Sequence, residues 1–328
     1  MTNAIKTMIA AGALLLGANA VQAENYSLIS APFGSGSYIL GSALEQIVSK
    51  NHPTIRISHS ESPGFAFNHV KLQKEPDLRK TMIIGSGRGV STLAVRGEEP
   101  FKEKLPPVKA IANYNLGSYF LATLNPDIKS VADLKGKRVA LGRKPQINWT
   151  IQPERLIRVG WGLGKDVQIE YLGVQEAAAA LLDGQVEAAI VGGYFDPLTK
   201  TMVLSPQTTE FLASGRKVYF LPWGGDAVKK AQDSGMPMVA VTIPAEALPG
   251  RDEPLDGFAD TISWTASEEF PEEAIYEITK LIINHVGEFK NYHALGKLMS
   301  PKALMYGWEP SELHPGALRA YKEAGLIE

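Results

Sequence analysis

Three basic side chains stand among glycines, hydroxyls and amides: Arg88 in GSGRG (85–89), and Arg143 and Lys144 in GRKPQINW (142–149). A guanidinium meets a carboxylate through two parallel hydrogen bonds, so Arg88 and Arg143 rank above Lys144 as anion ligands. The plain reading of each is a solvent-facing loop charge. Loops of the same character recur in FGSGSY (33–38), SESPGFAFN (60–68), NYN (113–115) and GGYFDP (192–197). Free backbone N–H groups and hydroxyls at a helix start receive a carboxylate or phosphate. Phe33, Tyr38, Phe65, Trp149, Tyr194 and Phe195 would wall such a pocket or pack in a core. Asn68, Asn113, Gln146 and Asn148 would supply directional amides or cap turns. Asp196 precedes a proline and reads as turn chemistry rather than as a partner for an ammonium.

Other chemistries find little support. In Gly85 to Gly89 the G-x-G-x-x-G fingerprint fails at Val90, and neither a P-loop nor G-x-S-x-G occurs. His52, His59, His69, His285, His293 and His314 never take a close ligand spacing, so each reads as a surface or packing residue. The absence of cysteine removes disulfide scaffolds, thiolate metal sites and cysteine nucleophiles. The expectation is a protein with no cofactor, no metal and no enzymatic activity. An enzyme assembled from distant residues is left open.

The elements that must position these loops alternate along the chain. Tyr26–Ser30, Ile55–Ser58 and Met82–Ile84 read as strands, the first followed by a helical apolar face of Ile39, Leu40, Ala43, Leu44, Ile47 and Val48. Such alternation predicts an α/β fold with parallel strands and ligands beyond their carboxyl ends. A second unit begins after Asn113, with strands at SYFLATLN, Lys137–Leu141, VQIEYL, Glu187–Val191 and KVYFLP. MPMVAVTIPA (236–245) reads as the strand passing back to the first unit, FADTISWTA as a further strand, and PEEAIYEITKLIINHV as a helix opening with Pro and acids. The predicted division is 24–115 for the first part of lobe I, 116–237 for lobe II, and 238–328 for the return to lobe I.

The chain has 328 residues, long enough for two such lobes, and 33 basic against 35 acidic side chains, which argues against nucleic acid or an acidic membrane as partner. Residues 1–23 read as a signal peptide: Lys6, an uncharged run from Thr7 to Ala23, and Val21-Gln22-Ala23 as the cleavage site. The expected location is the periplasm, and the expected state a monomer.

The sequence resembles the TAXI group of solute receptors of tripartite ATP-independent periplasmic (TRAP) transporters. The resemblance runs through FGSGSY, ESPGFAFN, SVADLKGKRVALG, ALLDGQVEAAIVGG, VTIPAEALPG and LHPGALRAYKEAGL. It implies a two-lobed type II periplasmic-binding-protein fold with a ligand cleft, closing on a small organic acid and delivering it to TRAP membrane permease subunits driven by an ion gradient. By the same resemblance Ser35, Gly36, Ser37 and Tyr38 form a first ligand loop, and Ser62 to Asn68 a second. Gly85-Ser86-Gly87-Arg88 stands where many members have Gln-x-Asp, and Gly142-Arg143-Lys144-Pro145-Gln146 where they commonly carry GSG-T/S-E. Both departures add positive charge and favour a dicarboxylate over glutamate. A ligand-sensing module on the same fold is a further reading.

Overall fold

The computed structural model describes residues 23–328 apart from Gly34 and Pro145, so the signal peptide reading lies, but for Ala23, outside the described residues. The first lobe opens with β1 (Glu24–Ile29), α1 (Gly36–Asn51), β2 (Ile55–Ser60), α2 (Phe65–Lys74), β3 (Met82–Ser86) and α3 (Arg88–Arg96). Its three strands are parallel in the order β2-β1-β3. α1 forms because Ser35 caps it, accepting from the Tyr38 N–H, and because Leu40, Ala43, Leu44, Ile47 and Val48 fall on one buried face. Each of the leucine, isoleucine and valine side chains removed from water contributes roughly 1.5–3 kcal/mol before the loss of entropy.

The chain then enters β4 (Lys109–Thr123), β5 (Arg138–Leu141), α4 (Gln152–Arg155), β6 (Gln168–Tyr171), α5 (Val174–Leu182) and β7 (Ala188–Asp196). π-helical turns at Ile147–Ile151 and Leu156–Gly160 flank α4. After them come β8 (Thr201–Leu204), α6 (Pro206–Leu212), β9 (Tyr219–Leu221), α7 (Gly225–Asp233), β10 (Val239–Ile243), β11 (Leu255–Ala266), α8 (Glu272–His285) and α9 (Pro315–Glu323). α5 stops where expected, at Gly184, whose φ of 70° suits glycine. Among the described residues no helix is long and apolar enough to cross a membrane.

β4 and β11 make the architecture. They pair antiparallel from Phe258↔Tyr119 to Ala266↔Lys109, and the sheet order β2-β1-β3-β11-β4-β7-β5-β6 runs through them from one lobe to the other. One core gathers Leu28, Leu40, Ile83, Ile111, Trp264, Ile275 and Phe289. The other gathers Phe120, Val139, Leu141, Leu181, Ile190, Phe220 and Phe258, and α3 inserts Val90, Leu93 and Ala94 into it. The fold is two-lobed α/β, as expected.

Three local readings are corrected. Asn113–Asn115 is no strand-end loop: it lies inside the unbroken β4, at a register shift against β11 between Ile262 and Ser263. The bulge gives these amides partners that a regular ladder would not. Gly192 to Asp196 likewise belongs to β7, where a Cβ on Gly192 would stand 2.5 Å from the Ser118 carbonyl oxygen. The strand that returns to the first lobe is β11; β10 pairs with its Leu255–Ala259 half instead.

Candidate functional site

The first-lobe wall is built from three turns held to one another by buried hydrogen bonds. Asn68 is fully buried, and its Nδ2 donates to the carbonyls of Ser30 (2.7 Å) and Gly85 (2.8 Å), bracing the ends of β1 and β3 together. Its Oδ1 is buried without a partner. The Ser62 hydroxyl donates to the same Ser30 carbonyl (3.0 Å) and accepts from the Gly64 N–H. The Phe65 ring closes over Gly85, where a Cβ would lie 3.1 Å from its Cε1. Ser86 Oγ stands 2.7 Å from His69 Nε2 and 3.0 Å from Ser91 Oγ. Burial holds the His69 imidazole neutral, with its pKa lowered to about 4. Gly87 packs against β11 so closely that a Cβ would meet the Thr261 carbonyl oxygen at 2.1 Å.

The first loop meets the second lobe. Gly36, the first residue of α1, lies where a Cβ would be 2.4 Å from Leu295 Cδ1 and 3.1 Å from the Tyr194 hydroxyl of β7. The helix start thus faces a phenol from the other lobe; burial raises the Tyr194 pKa and keeps it a neutral donor. Ser37 is buried on α1. Tyr38 packs on His59 (4.8 Å between ring centres) and on Phe33 (5.0 Å). Phe33 is 76% exposed, with its N–H donating to Glu61 Oε2, so it sits at the rim rather than the wall.

The second-lobe wall is looser. In the turn after β5 the Arg143 N–H donates to Gln146 Oε1 (3.0 Å) and the Gly142 N–H to the Trp149 carbonyl (2.9 Å). Trp149 sets its ring edge-on to Tyr119 at 4.4 Å, and Asn148 beside it is half-buried. A cavity of about 600 Å³ opens between α3 and this loop, lined by Leu93, Lys144, Thr150, Glu154, Arg158 and Tyr171. Phe195, 2% exposed, belongs to the second core rather than to a ligand wall.

The cations already have partners. Arg88 Nε donates to Glu312 Oε1 at 3.0 Å while its backbone N–H donates to Thr261 Oγ1. Arg143 Nη2 lies 3.4 Å from Glu176 Oε1, and Lys144 Nζ lies 4.8 Å from the centre of the Tyr171 ring. The Arg143–Glu176 pair is exposed and worth about 0–1 kcal/mol, whereas the Arg88–Glu312 pair is half-buried. Asn113 is committed inside the sheet: its Nδ2 donates to the Ala303 carbonyl and its Oδ1 accepts from the Ile262 N–H, each at 3.1 Å.

Sequence reasoning missed a buried carboxylate of β11 that holds α3 and α4. Asp260, buried on β11, accepts from the N–H groups of Gly89 (3.2 Å) and Thr261 (2.8 Å) through Oδ1, and from Gln152 Nε2 (2.8 Å) through Oδ2. Burial raises its pKa to about 6 against those hydrogen bonds. Gln152 also donates to the Pro237 carbonyl, and its Oε1 is unpartnered. The available signal was a lone carboxylate in an otherwise strand-like run, FADTISW.

Solved structures share this architecture at low identity. A protein described as a periplasmic transporter is 14% identical, with 92% of this chain and 94% of that chain covered and a TM-score of 0.52. An R. palustris protein, Rpa4515, solved with adipate, is 15% identical over 92% and 94% with a TM-score of 0.51. A TctC solute-binding protein from Polaromonas is 13% identical over 92% and 98% with a TM-score of 0.50. At such identities the likeness establishes the two-lobed fold of periplasmic binding proteins. Family assignment rests on the sequence itself: the model of the NMT1-like family matches residues 28–325, and the chain belongs to that family.

Proposed function

We propose that the protein is a periplasmic solute-binding protein that captures a small organic acid, a dicarboxylate first, between its lobes and presents it to a membrane permease of the TRAP type. The observation that carries this reading is the meeting of the α1 start at Gly36 with the Tyr194 hydroxyl across the lobes. A helix N-terminus attracts a carboxylate, and a neutral phenol completes its hydrogen bonding. A ligand touching both walls favours the closed arrangement by its differential affinity, and losing it lets the lobes part. Arg88, Arg143 and Lys144 supply charge for a second carboxylate by exchanging Glu312, Glu176 and the Tyr171 face for ligand. The choice of a dicarboxylate is supported by that surplus, and adipate is the compound present in one structure of this fold. The TRAP assignment and the periplasmic location rest on the sequence resemblance.

The test is a thermal-shift series with adipate, shorter dicarboxylates, monocarboxylates, tricarboxylates and glutamate. A ligand at about a hundred times its Kd stabilises the native state by roughly 2.7 kcal/mol, well within reach of such a measurement. Dicarboxylates are expected to shift the transition most. A shift with glutamate alone would return the site to amino acids. No shift with any carboxylate, or conversion of the bound compound seen by mass spectrometry, ends the proposal.

A further inference from the structure

Tyr114 is set apart by a break in the ladder. β4 and β11 pair Asn113 with Ser263 and Asn115 with Ile262, so Tyr114 is the extra residue of the bulge and pairs with no residue of β11. Bulges re-aim side chains, and they concentrate beside functional sites. The Tyr114 ring packs on Trp264 in the first core, 4.6 Å between centres, and the residue is 2% exposed. Its hydroxyl is buried with no hydrogen-bond partner among the described residues. A hydroxyl left unmet in a core costs stability, so one that persists there needs another reason. Burial raises the Tyr114 pKa and keeps the phenol protonated; Ser37, in the first turn of α1, and Tyr194, from β7, are close enough to act on it as well.

A second phenol comes from the other core. Tyr119 packs on Trp149 and Phe258, and its hydroxyl folds back over Gly117, where a Cβ would stand 2.3 Å from it. Gly117 lies opposite Tyr194 in the β4–β7 ladder. Burial first, then Tyr194, Asp260 and Tyr114, raise the Tyr119 pKa and hold this phenol protonated too. The oxygens of Asp260 are already taken by Gly89, Thr261 and Gln152. Tyr194 completes the group, its hydroxyl 3.1 Å from where a Cβ on Gly36 would lie at the start of α1. It is half-buried while the other two are buried, so its side is the one from which a solute approaches.

We propose that Tyr114, Tyr119 and Tyr194 form, with the first turn of α1, a clamp of neutral donors for one carboxylate of the solute. This rests on the reading of the protein as a receptor for organic acids, and it names the residues that hold one end of the ligand. Each phenol offers one O–H to a group that only accepts, and the helix start adds free N–H groups and a favourable dipole. The strength of the clamp comes from hydrogen bonds to a charged acceptor, not from a pairing of opposite charges. The basic loops are left for the second carboxylate.

Tyr114→Phe and Tyr119→Phe keep the rings and remove the hydroxyls. Calorimetry on each variant and on the unaltered protein measures binding of adipate, or of glutamate where adipate does not bind, and urea unfolding without solute measures the cost to the fold. Each variant is expected to weaken binding about tenfold or more, the worth of one hydrogen bond to a charged group. The loss should be the same at low and at high salt, because neither donor is charged. Tyr114→Phe should leave the urea midpoint unchanged or raise it, since the hydroxyl it removes has no partner to strand. Tyr321→Phe sets the scale for a structural phenol, because the Tyr321 hydroxyl donates to the Ile111 carbonyl at 2.8 Å. Three results each overturn the clamp and leave the receptor reading standing: a loss of less than about threefold in either variant, a loss that vanishes in high salt, or a midpoint lowered by Tyr114→Phe as far as by Tyr321→Phe. Failure of adipate, glutamate and every other carboxylate to bind the unaltered protein defeats both.

Discussion

The two walls of the cleft are made differently. The first-lobe wall spends its polar side chains on its own backbone: Asn68 and Ser62 converge on the Ser30 carbonyl, Ser86 is held by His69, and Gly87 is pressed against β11. The second-lobe wall leaves Arg143 with a side chain 67% exposed, holds it by one surface pair, and enters α4 through a π-helical turn. A wall whose hydrogen bonds are closed on themselves keeps its shape whether or not ligand is present. A wall of exposed charges adapts, and such π-turns often mark functional places in helices. The first-lobe wall is thus a preformed surface, and the second-lobe wall an adaptable one.

The contrast can be broken first at Asn68. Asn68→Leu removes both donors, leaving the Gly85 carbonyl without this partner and the Ser30 carbonyl with the Ser62 hydroxyl alone; one stranded buried group at about 1–3 kcal/mol and one lost bond at about 1 kcal/mol should lower stability by about 3 kcal/mol in urea unfolding. A loss under 1 kcal/mol would mean that the first wall is as soft as the second.

The next effect is acid sensitivity. His69 titrates near 4 in the folded chain and near 6.5 when unfolded, so the unfolded chain takes up the proton first. Its stabilisation is complete above pH 6.5 and is lost as pH falls toward 4, about 3 kcal/mol in all. His69→Gln, which can still bond Ser86, should remove that loss from the pH dependence of unfolding. Asp260 acts with the opposite sign, its raised pKa favouring the folded chain as pH falls from 6 toward 4. Asp260→Asn should therefore bend the stability profile in the direction opposite to His69→Gln.

Smaller effects sharpen the picture at the rim. Gly36→Ala meets only the tip of Leu295 and the Tyr194 hydroxyl, so it should cost about 1–2 kcal/mol in stability while displacing the phenol from the α1 start. Calorimetry with adipate should show the larger change in binding. Arg143→Ala should alter stability by less than about 0.5 kcal/mol, since it removes one exposed pair. Adipate binding should nevertheless weaken about tenfold, the worth of one charge-assisted contact. Unchanged adipate binding in both Arg143→Ala and Arg88→Ala would remove the basic loops from the site.

Much of the frame was legible before any coordinates. Periodicity found α1, the β1 to β3 strands and the α5 stop at Gly184, because each is decided by local pattern and turn chemistry. The turns of the first wall were also legible as small-residue loops. The contacts of Asp260 were not. Asp260 meets Gly89 and Gln152 from 171 and 108 residues away, and no short spacing encodes such a meeting. Asn113 misled for a related reason: an amide at a bulge inside a buried sheet has the same local spelling as one in a turn. The return of the chain was assigned to β10 because apolar runs identify strands without identifying their neighbours.

The long partnership of β4 with β11 also has a consequence for how the protein is made. Ser118 and Phe258, joined by a hydrogen bond, lie 140 residues apart, and β11 stands between β3 and β4 in the sheet. A chain emerging from its N-terminus can assemble helices and the β1–β3 layer, yet the place beside β3 stays vacant until residues 255–266 arrive. Contacts so distant in sequence fold slowly, because loop closure must precede their reward. Under the proposed export of the chain this delay would be an advantage, since a polypeptide that completes its sheets late is still threadable when it meets the membrane.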